Sequence, residues 1–357
     1  MRERYIEQQS GAGQTITVSG LDGARGLLFS PKLSDPQDIR NSAAILQDVK
    51  IPALLRAVGV EYGRDPKQQL AIGKETAEAI SNVGGLLLDL AAMKPDIVLP
   101  ASGGEIQNFV VNAIQASVSG DPLQLYIPCC PDWSQDNNGR YDYRSLNGGP
   151  SFIAEKFFQE SPSVLAALNK HNVPYRGTVV IADWGLENDI EAYDRNGERL
   201  TRNAVSERFI STARHAENSL SGLKQGSDMR SLYVDFRVTR MSDLFLELGV
   251  NPDETYAEAY KLLLAQNKGQ KLVRELHAAS LPINMERRGL SEDENYQQAV
   301  QSLAEYATLS SSLPDRSILF AAESQTTSKG YNVLRQIKMP VVFLKGKTRE
   351  ERAVNIL

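Results

Sequence analysis

LQLYIP at residues 123–128 and TVVIAD at residues 178–183 are almost continuously apolar, and each follows a stretch with helical periodicity. Strands that are covered on both faces of a parallel sheet have this composition. DIVLP at residues 96–100 opens the same series, and SILFAAES at residues 317–324 begins a similar one near the end of the chain. The order predicts an α/β fold with an open, mostly parallel, Rossmann-like sheet, helices on both faces and right-handed crossovers.

Short apolar runs bounded by turn residues are predicted strands, and stretches with a helical period are predicted helices. The strands lie at residues 15–18, 26–29, 96–100, 123–128, 178–182, 231–236, 317–322 and 340–344. The helices lie at residues 67–93, 103–118, 151–171, 203–222, 254–279, 291–309 and 328–337.

Residues 240–312 differ from the rest of the chain because nearly all of them have helical periodicity with Gln-rich or charged faces. We expect them to form a mostly helical insertion or cap. It would separate the N-terminal part of the α/β core, residues 1–239, from residues 313–357. The pattern of residues 313–357 predicts a strand, a helix and a second strand that return to the core sheet.

The composition favours a globular protein with a small-molecule substrate. Of the 357 residues, 41% are hydrophobic, and the formal net charge of −5 gives no overall basic field for nucleic acid or anionic membranes. MRERYIEQQSGAGQT at the N-terminus lacks the apolar segment of a signal peptide, and no run reaches the roughly 20 apolar residues of a membrane helix. We therefore expect a cytoplasmic protein that binds neither nucleic acid nor membrane.

The two cysteines, Cys129 and Cys130, are adjacent, so a bond between them would be a strained vicinal disulfide. Both directly follow an apolar strand. We expect both to be reduced and at least one to be buried.

The loop after LQLYIP holds the first group of candidate site residues. Ligands of open α/β sheets bind beyond the carboxyl ends of the strands, and this loop is long, at about twenty residues against the usual two to six. Asp132 is a candidate catalytic residue, and Trp133 beside it a candidate for substrate contact. Arg144, Gly148 and Gly149 precede a predicted helix, where an arginine and free backbone N–H groups suit a phosphate or carboxylate.

Two other interpretations of this loop remain open. Asn138-Gly139 is a strong signal for a β-hairpin turn. The residues from Ser134 to Ser145 also imitate a calcium-binding loop, although Ser134 stands where Asp is usual and Ser145 replaces the bidentate Glu.

The strand TVVIAD supplies a second group at the same predicted edge of the sheet. Asp183 and Glu187 are candidate catalytic residues, and Trp184 a candidate for substrate binding. Together with Asp132 these carboxylates could act as a general base or hold a divalent metal. If Asp183 has such a role, Asp183→Asn should impair function far more than folding; the alternative is that Asp183 only caps the following turn.

Further candidates lie outside these two loops. His215, for catalysis, and Arg214, for substrate binding, occur in a predicted helix, although a lone helical histidine is usually a surface residue. Ser102 and Gly103 form a second possible anion cradle after DIVLP, and Lys329 follows another apolar strand. The segments with Ser102, Gly103 and Lys329 could also be ordinary helix N-caps.

The order of PCCPDWS after one strand, an N-G-G run before a helix, and IADWG after a second strand resembles the block order of isonitrile synthases, which rebuild the amino group of an amino acid. The resemblance covers about residues 120–220. The motifs of that family are not matched residue by residue, so no catalytic role is carried over from it.

Three functions are compatible with these features. The first is a cytosolic transferase acting on a small polar metabolite that carries a carboxylate or phosphate, with Asp132 and Asp183 as acid–base groups. The second is a metal-dependent hydrolase that uses the same carboxylates, and the third is a non-catalytic binding or regulatory protein. No P-loop, dinucleotide fingerprint, zinc pattern or Gly-x-Ser-x-Gly elbow is present in the sequence.

Overall fold

The computed structural model describes a set of segments along the chain. They are residues 5–9, 15–19, 78–79, 82–90, 92–93, 97–98, 103–129, 134–135, 141–142, 157–158, 161–184, 192–193, 201–226, 229–288, 291–321 and 329–344.

The strands are numbered in chain order. They are β1 (Tyr5–Gln9), β2 (Thr15–Ser19), β3 (Ile97–Val98), β4 (Leu123–Cys129), β5 (Ser134–Gln135), β6 (Tyr141–Asp142), β7 (Tyr175–Ile181), β8 (Ala192–Tyr193), β9 (Phe236–Arg240), β10 (Ser317–Ala321) and β11 (Val341–Leu344).

The helices are numbered in the same way. They are α1 (residues 82–90), α2 (Gly103–Ser119), α3 (Pro162–Lys170), α4 (Arg202–Gln225), α5 (Arg230–Tyr233), α6 (Met241–Leu248), α7 (Pro252–Ala265), α8 (Asn267–Arg288) and α9 (Glu292–Ser312). None of the helices in the described segments is both long enough and apolar enough to cross a membrane.

The main sheet has the strand order β3-β11-β10-β4-β7-β9. Five of these strands, from β11 to β9, run parallel, which confirms a mixed α/β fold built on a parallel sheet. The edge strand β3 is different because it pairs antiparallel with β11, with Phe343 opposite Val98. The prediction that DIVLP begins the parallel series is therefore wrong.

Two other predicted elements differ in the structure. Residues 231–233 of the predicted strand 231–236 belong to the short helix α5, and the strand β9 begins only at Phe236. Tyr233 explains the helix, because its buried ring packs on Phe236 at 5.1 Å and its hydroxyl donates to the carbonyl of Phe158 at 3.3 Å. The predicted helix 328–337 is helical only at residues 329–331 in its described part and continues as turns.

The chain divides into two compact units. Unit 1 comprises residues 1–125, 160–176 and 340–357, and unit 2 comprises residues 126–159 and 177–339. The predicted boundaries at 239/240 and 312/313 stay predictions.

In unit 2, the helices α7, α8 and α9 share an apolar core. Its buried members come from all three helices and include Leu263, Val273 and Leu303. Helix α9 begins with a capping box, in which the Ser291 hydroxyl accepts from the backbone of Glu294 and the Glu294 carboxylate accepts from the backbone of Ser291. The helical region therefore has a core of its own.

In unit 1, Asp89 of α1 connects that helix to the end of α3. One of its carboxylate oxygens lies 2.8 Å from both the Lys170 ammonium and Nε2 of His171. The hydrogen bond from Lys170, followed by that from His171, holds the pKa of Asp89 below its ordinary value of 3.8.

This arrangement predicts an acid-sensitive contribution to stability. Because the folded-state pKa of Asp89 is lowered, the contribution is complete above pH 3.8 and is lost as the pH falls through the folded value. We expect Asp89→Asn to lower the urea midpoint of unfolding at about pH 6. Once the pH lies well below the folded-state pKa of Asp89, the variant and the wild-type protein should have the same urea midpoint. A difference between the two proteins that stays constant down to about pH 2 would contradict this role.

Candidate functional site

The parallel strands β4 and β7 end side by side. The backbone N–H of Ala182, directly after β7, donates to the carbonyl of Cys129, the last residue of β4, at 2.9 Å. The chain therefore leaves both strands at the same level of the sheet, at their carboxyl ends.

The segments that follow these two strands meet again in a small second sheet. Strands β5 and β6, after β4, pair antiparallel, and β6 pairs in parallel with β8, which follows β7. Tyr141 lies opposite Ala192, and Asp142 lies opposite Tyr193. The small sheet thus joins the two loops in which the sequence places most of its candidate residues.

The pairing of β5 with β6 bears on the interpretations of the first loop. Ser134 lies opposite Asp142, and Gln135 lies opposite Tyr141, so two antiparallel strands stand on either side of residues 136–140, which lie outside the described residues. This pairing is compatible with the hairpin turn that Asn138-Gly139 predicts. A calcium-binding loop would instead be flanked by helices, and neither flank of this turn is helical in the described residues.

Asp183 is the candidate carboxylate that the structure describes in most detail. Only 4% of the residue is exposed. Its Oδ1 accepts from the backbone N–H of Ser242 at 2.8 Å, and its Oδ2 accepts from the Ser242 hydroxyl at 2.6 Å. Asp183 thus accepts from a backbone N–H in the first turn of α6, where N–H groups have no acceptor within the helix. This is a form of N-terminal capping by a residue 59 positions earlier in the chain.

An arginine completes the surroundings of Asp183. Nη1 of Arg240 lies 3.7 Å from Oδ2 of Asp183, while Nε and Nη2 of the same side chain donate to Asp243 at 2.8 and 2.9 Å. Both oxygens of Asp183 are engaged in holding the start of α6. The described contacts of Asp183 are therefore those of a carboxylate that caps a distant helix, and capping of the turn directly after β7 stays untested.

Trp184 continues the same connection with an apolar contact. Its ring packs edge-on against Phe245 of α6, with ring centroids 5.6 Å apart, and against Tyr256 of α7, with ring centroids 5.7 Å apart. Aromatic pairs in this geometry stabilise packing beyond the area that they bury. The Asp-Trp pair after β7 thus fastens the carboxyl end of that strand to the helical region.

Arg214 and His215 lie on α4, which packs on β9 through a different face. The buried residues of α4 recur at helical spacing and include Phe209, Ala216 and Leu220. Arg214 is exposed and His215 half-buried. Among the described residues, neither has a recorded hydrogen bond or ion pair to another candidate site residue.

Two more candidates belong to other parts of the chain than the loops after β4 and β7. The ammonium of Lys329 is exposed and pairs with Glu275 of α8 at 2.8 Å, and this hydrogen bond lowers the pKa of Glu275. Gly103 is the first residue of α2. Because β3 runs against β11, Gly103 follows β3 at the end of the sheet where β11 begins.

The remaining candidates fall outside the described residues. They are Ser102, Asp132, Trp133, Arg144, Gly148, Gly149 and Glu187. Asp132 and Trp133 lie between β4 and β5, and Glu187 lies between β7 and β8.

Cys129 is buried at the end of β4, which confirms that at least one of the two cysteines is buried, and the reduced state of both stays a prediction. Cys130 lies outside the described residues.

Sequence reasoning missed Ser242 and Arg240, the partners of Asp183. The only signal was TRMSD at residues 239–243, in which polar and charged residues interrupt the change from strand to helix. Within the described segments, no group of three His, Cys, Asp or Glu side chains could hold a metal ion. A divalent metal therefore remains a prediction for Asp132 and Glu187.

Comparison of the chain with protein-family models, curated proteins and solved structures found no match in any of the three. The resemblance to isonitrile synthases thus rests on the sequence blocks alone.

Proposed function

We propose that the chain is a cytoplasmic enzyme, a transferase with a Rossmann-like fold that acts on a small polar metabolite carrying a carboxylate or phosphate. The metabolite would bind beyond the carboxyl edge of the parallel sheet, between β4 and β10. The observation that carries the proposal is the strand order of the sheet.

The strand order supports the proposed position of the binding crevice. From β4 the chain proceeds outward to β7 and β9, and then returns to the other side of β4 for β10 and β11. If the parallel strands are renumbered 1 to 5 along the chain from β4, their order across the sheet from β9 to β11 is 3-2-1-4-5. This is the order of a doubly wound sheet, and it supports the Rossmann-like assignment. The direction of winding changes between β4 and β10, and ligands of such sheets bind at this change, outside the carboxyl ends of the strands.

The sequence supplies suitable residues at this position. Asp132 and Trp133 follow β4 by a few residues, and Arg144 with the glycines at 148 and 149 follows the hairpin. In the proposal, Arg144 and the glycine backbone bind the anionic group, and Asp132 and Glu187 perform the proton transfer. Asp183 acts instead as a positioning residue, since Ser242 occupies both of its oxygens.

The proposal predicts a large effect of Asp132→Asn on function with a small effect on stability. We expect a thermal-shift screen of amino acids, organic acids and sugar phosphates to yield a ligand for the wild-type protein. For a catalytic acid–base group, Asp132→Asn should lower turnover of that compound roughly a hundredfold or more. The matched control is Asp253→Asn on α7, which removes an exposed carboxylate of unit 2 and should leave both turnover and melting unchanged.

The same experiment separates the alternatives. Turnover that disappears with a chelator and returns with a divalent metal would favour the hydrolase. A ligand that binds without turnover of any co-substrate would favour the non-catalytic protein. If Asp132→Asn and Asp253→Asn behave alike towards the ligand, the proposed site is wrong.

A further inference from the structure

A pocket of about 330 Å³ lies in unit 2 where α9 ends. Its lining residues are Ser311, Asp315, Leu334, Arg335, Gln336 and Ile337. Helix α9 ends at Ser312 and β10 begins at Ser317, so the pocket lies near the amino end of β10. The proposed active site lies beyond the opposite end of this strand, so the pocket is a separate feature.

The pocket contains a buried charge. The side chain of Arg335 is only 8% exposed. Its Nη1 donates to the carbonyls of Ser310 and Leu313 at 2.5 and 3.1 Å, and its Nη2 donates to Asp315 at 3.0 Å. Burial lowers the pKa of Arg335, and Asp315 opposes that shift, but an arginine keeps its charge at neutral pH.

Two N–H donors of this guanidinium remain for a ligand. Arginine carries five N–H donors, of which the contacts above use two from Nη1 and one from Nη2. For Nε–H and the second Nη2 N–H, the structure records no acceptor within its described part. Nε–H and an N–H of Nη2 form one edge of an arginine, and this edge suits a carboxylate, which accepts through two parallel hydrogen bonds.

Ser311 provides a second polar group in the pocket. Its hydroxyl oxygen is buried and has no hydrogen-bond partner among the residues that the structure describes. Its neighbours in α9 are different, because Ser310 donates to the carbonyl of Ala307 and Ser312 donates to that of Thr308. Buried hydroxyl groups without a partner are uncommon, so the site favours a ligand that supplies one.

The remaining lining residues restrict the chemistry of that ligand. Leu334 is half-buried and Ile337 is 59% exposed, so an apolar group has a surface on which to pack. Asp315, with 89% of its side chain exposed, is the one acidic residue of the lining, and it disfavours a second negative charge. The volume lies at the lower end of the range of small-molecule sites.

We propose that this pocket binds a small organic monocarboxylate with a short apolar chain. Its carboxylate accepts from Nε and Nη2 of Arg335 and from the Ser311 hydroxyl, and its chain packs on Leu334 and Ile337.

The test measures the binding of the probe 3-methylbutanoate to the full chain by calorimetry. We expect binding in the millimolar range, and a loss of about tenfold or more for the neutral analogue 3-methylbutanamide because it lacks the charge. Inorganic phosphate should bind more weakly than the carboxylate because of Asp315.

Two substitutions test the pocket without removing Arg335, which also supports the end of α9. Ser311→Ala deletes a hydroxyl that has no recorded partner, so it should leave melting unchanged and weaken binding about five- to tenfold. Asp315→Asn removes the opposing charge and should strengthen binding severalfold. The control Glu258→Gln, at an exposed position of α7, should neither weaken nor strengthen binding.

Several results would overturn the proposal. They are the absence of binding by 3-methylbutanoate, equal binding of the amide, tighter binding of phosphate, and an affinity that Ser311→Ala leaves unchanged.

Discussion

Asp183→Ala is expected to lower the free energy of unfolding by about 3 kcal/mol, because it removes a buried carboxylate from three partners. The substitution leaves the N–H and hydroxyl of Ser242 without this acceptor, and it removes the carboxylate that lies 3.7 Å from Arg240. A change of that size corresponds to a fall of roughly 6–12 °C in the melting temperature of a domain of this size. Differential scanning calorimetry of the full chain measures it.

Two related variants sharpen the interpretation. Asp183→Asn keeps an oxygen for the N–H of Ser242 but loses the charge, so we expect a cost of about 1–2 kcal/mol. Asp243→Ala removes a carboxylate that pairs with Arg240 at a position where the side chain is 44% exposed, and it should cost less than about 1 kcal/mol. If Asp183→Ala melts like the wild-type protein, the carboxylate does not hold α6, and a role in ligand binding becomes the better explanation.

Gly177→Val is expected to cost about 3 kcal/mol or more, because β7 has no room for a side chain at this position. Gly177 lies directly opposite Phe236 in the pairing of β7 with β9, and a Cβ atom there would overlap the phenylalanine ring. The ring has little freedom to move, since Phe236 is buried and packs on Tyr233 at 5.1 Å and on Phe157 at 6.0 Å. Urea unfolding should show a lower midpoint.

The control for this prediction is another glycine of unit 2. A Cβ atom at Gly222, on the exposed side of α4, would meet nothing within 4 Å. Gly222→Ala should therefore stabilise the protein by about 0.5–1 kcal/mol through its helix propensity. A Gly177→Val protein that is as stable as the wild type would show that the ring of Phe236 can move aside, and would contradict the packing described for β7 and β9.

Local patterns predicted the main elements well where the apolar run was long and had one interpretation. β4, β7, β10 and β11 lie close to their predicted positions, and α2, α4 and α9 differ from theirs by a few residues at each end. The run 231–236 failed because a short apolar segment fits a buried turn of helix as well as a strand. Only the contacts of Tyr233 with Phe158 and Phe236 select the helix.

The neighbouring positions of the loops after β4 and β7 were predictable, whereas the contacts of Asp183 were not. That the loops after β4 and β7 lie together follows from the rule that parallel strands end at one edge, and the small sheet formed by β5, β6 and β8 joins these loops. The partner of Asp183 was not predictable, because Ser242 lies 59 residues further along the chain. No local pattern specifies which distant N–H a carboxylate will accept from.

The sequence by itself determined the alternation of strand and helix and the burial of the strands β4, β7 and β10, since each depends on residues that are neighbours along the chain. The tertiary structure decided the antiparallel direction of β3, the placing of β10 and β11 beside β4, and the engagement of Asp183 with Ser242. These features depend on pairs of groups far apart in sequence. Their energies become favourable only when the folded chain brings the groups together and removes them from water.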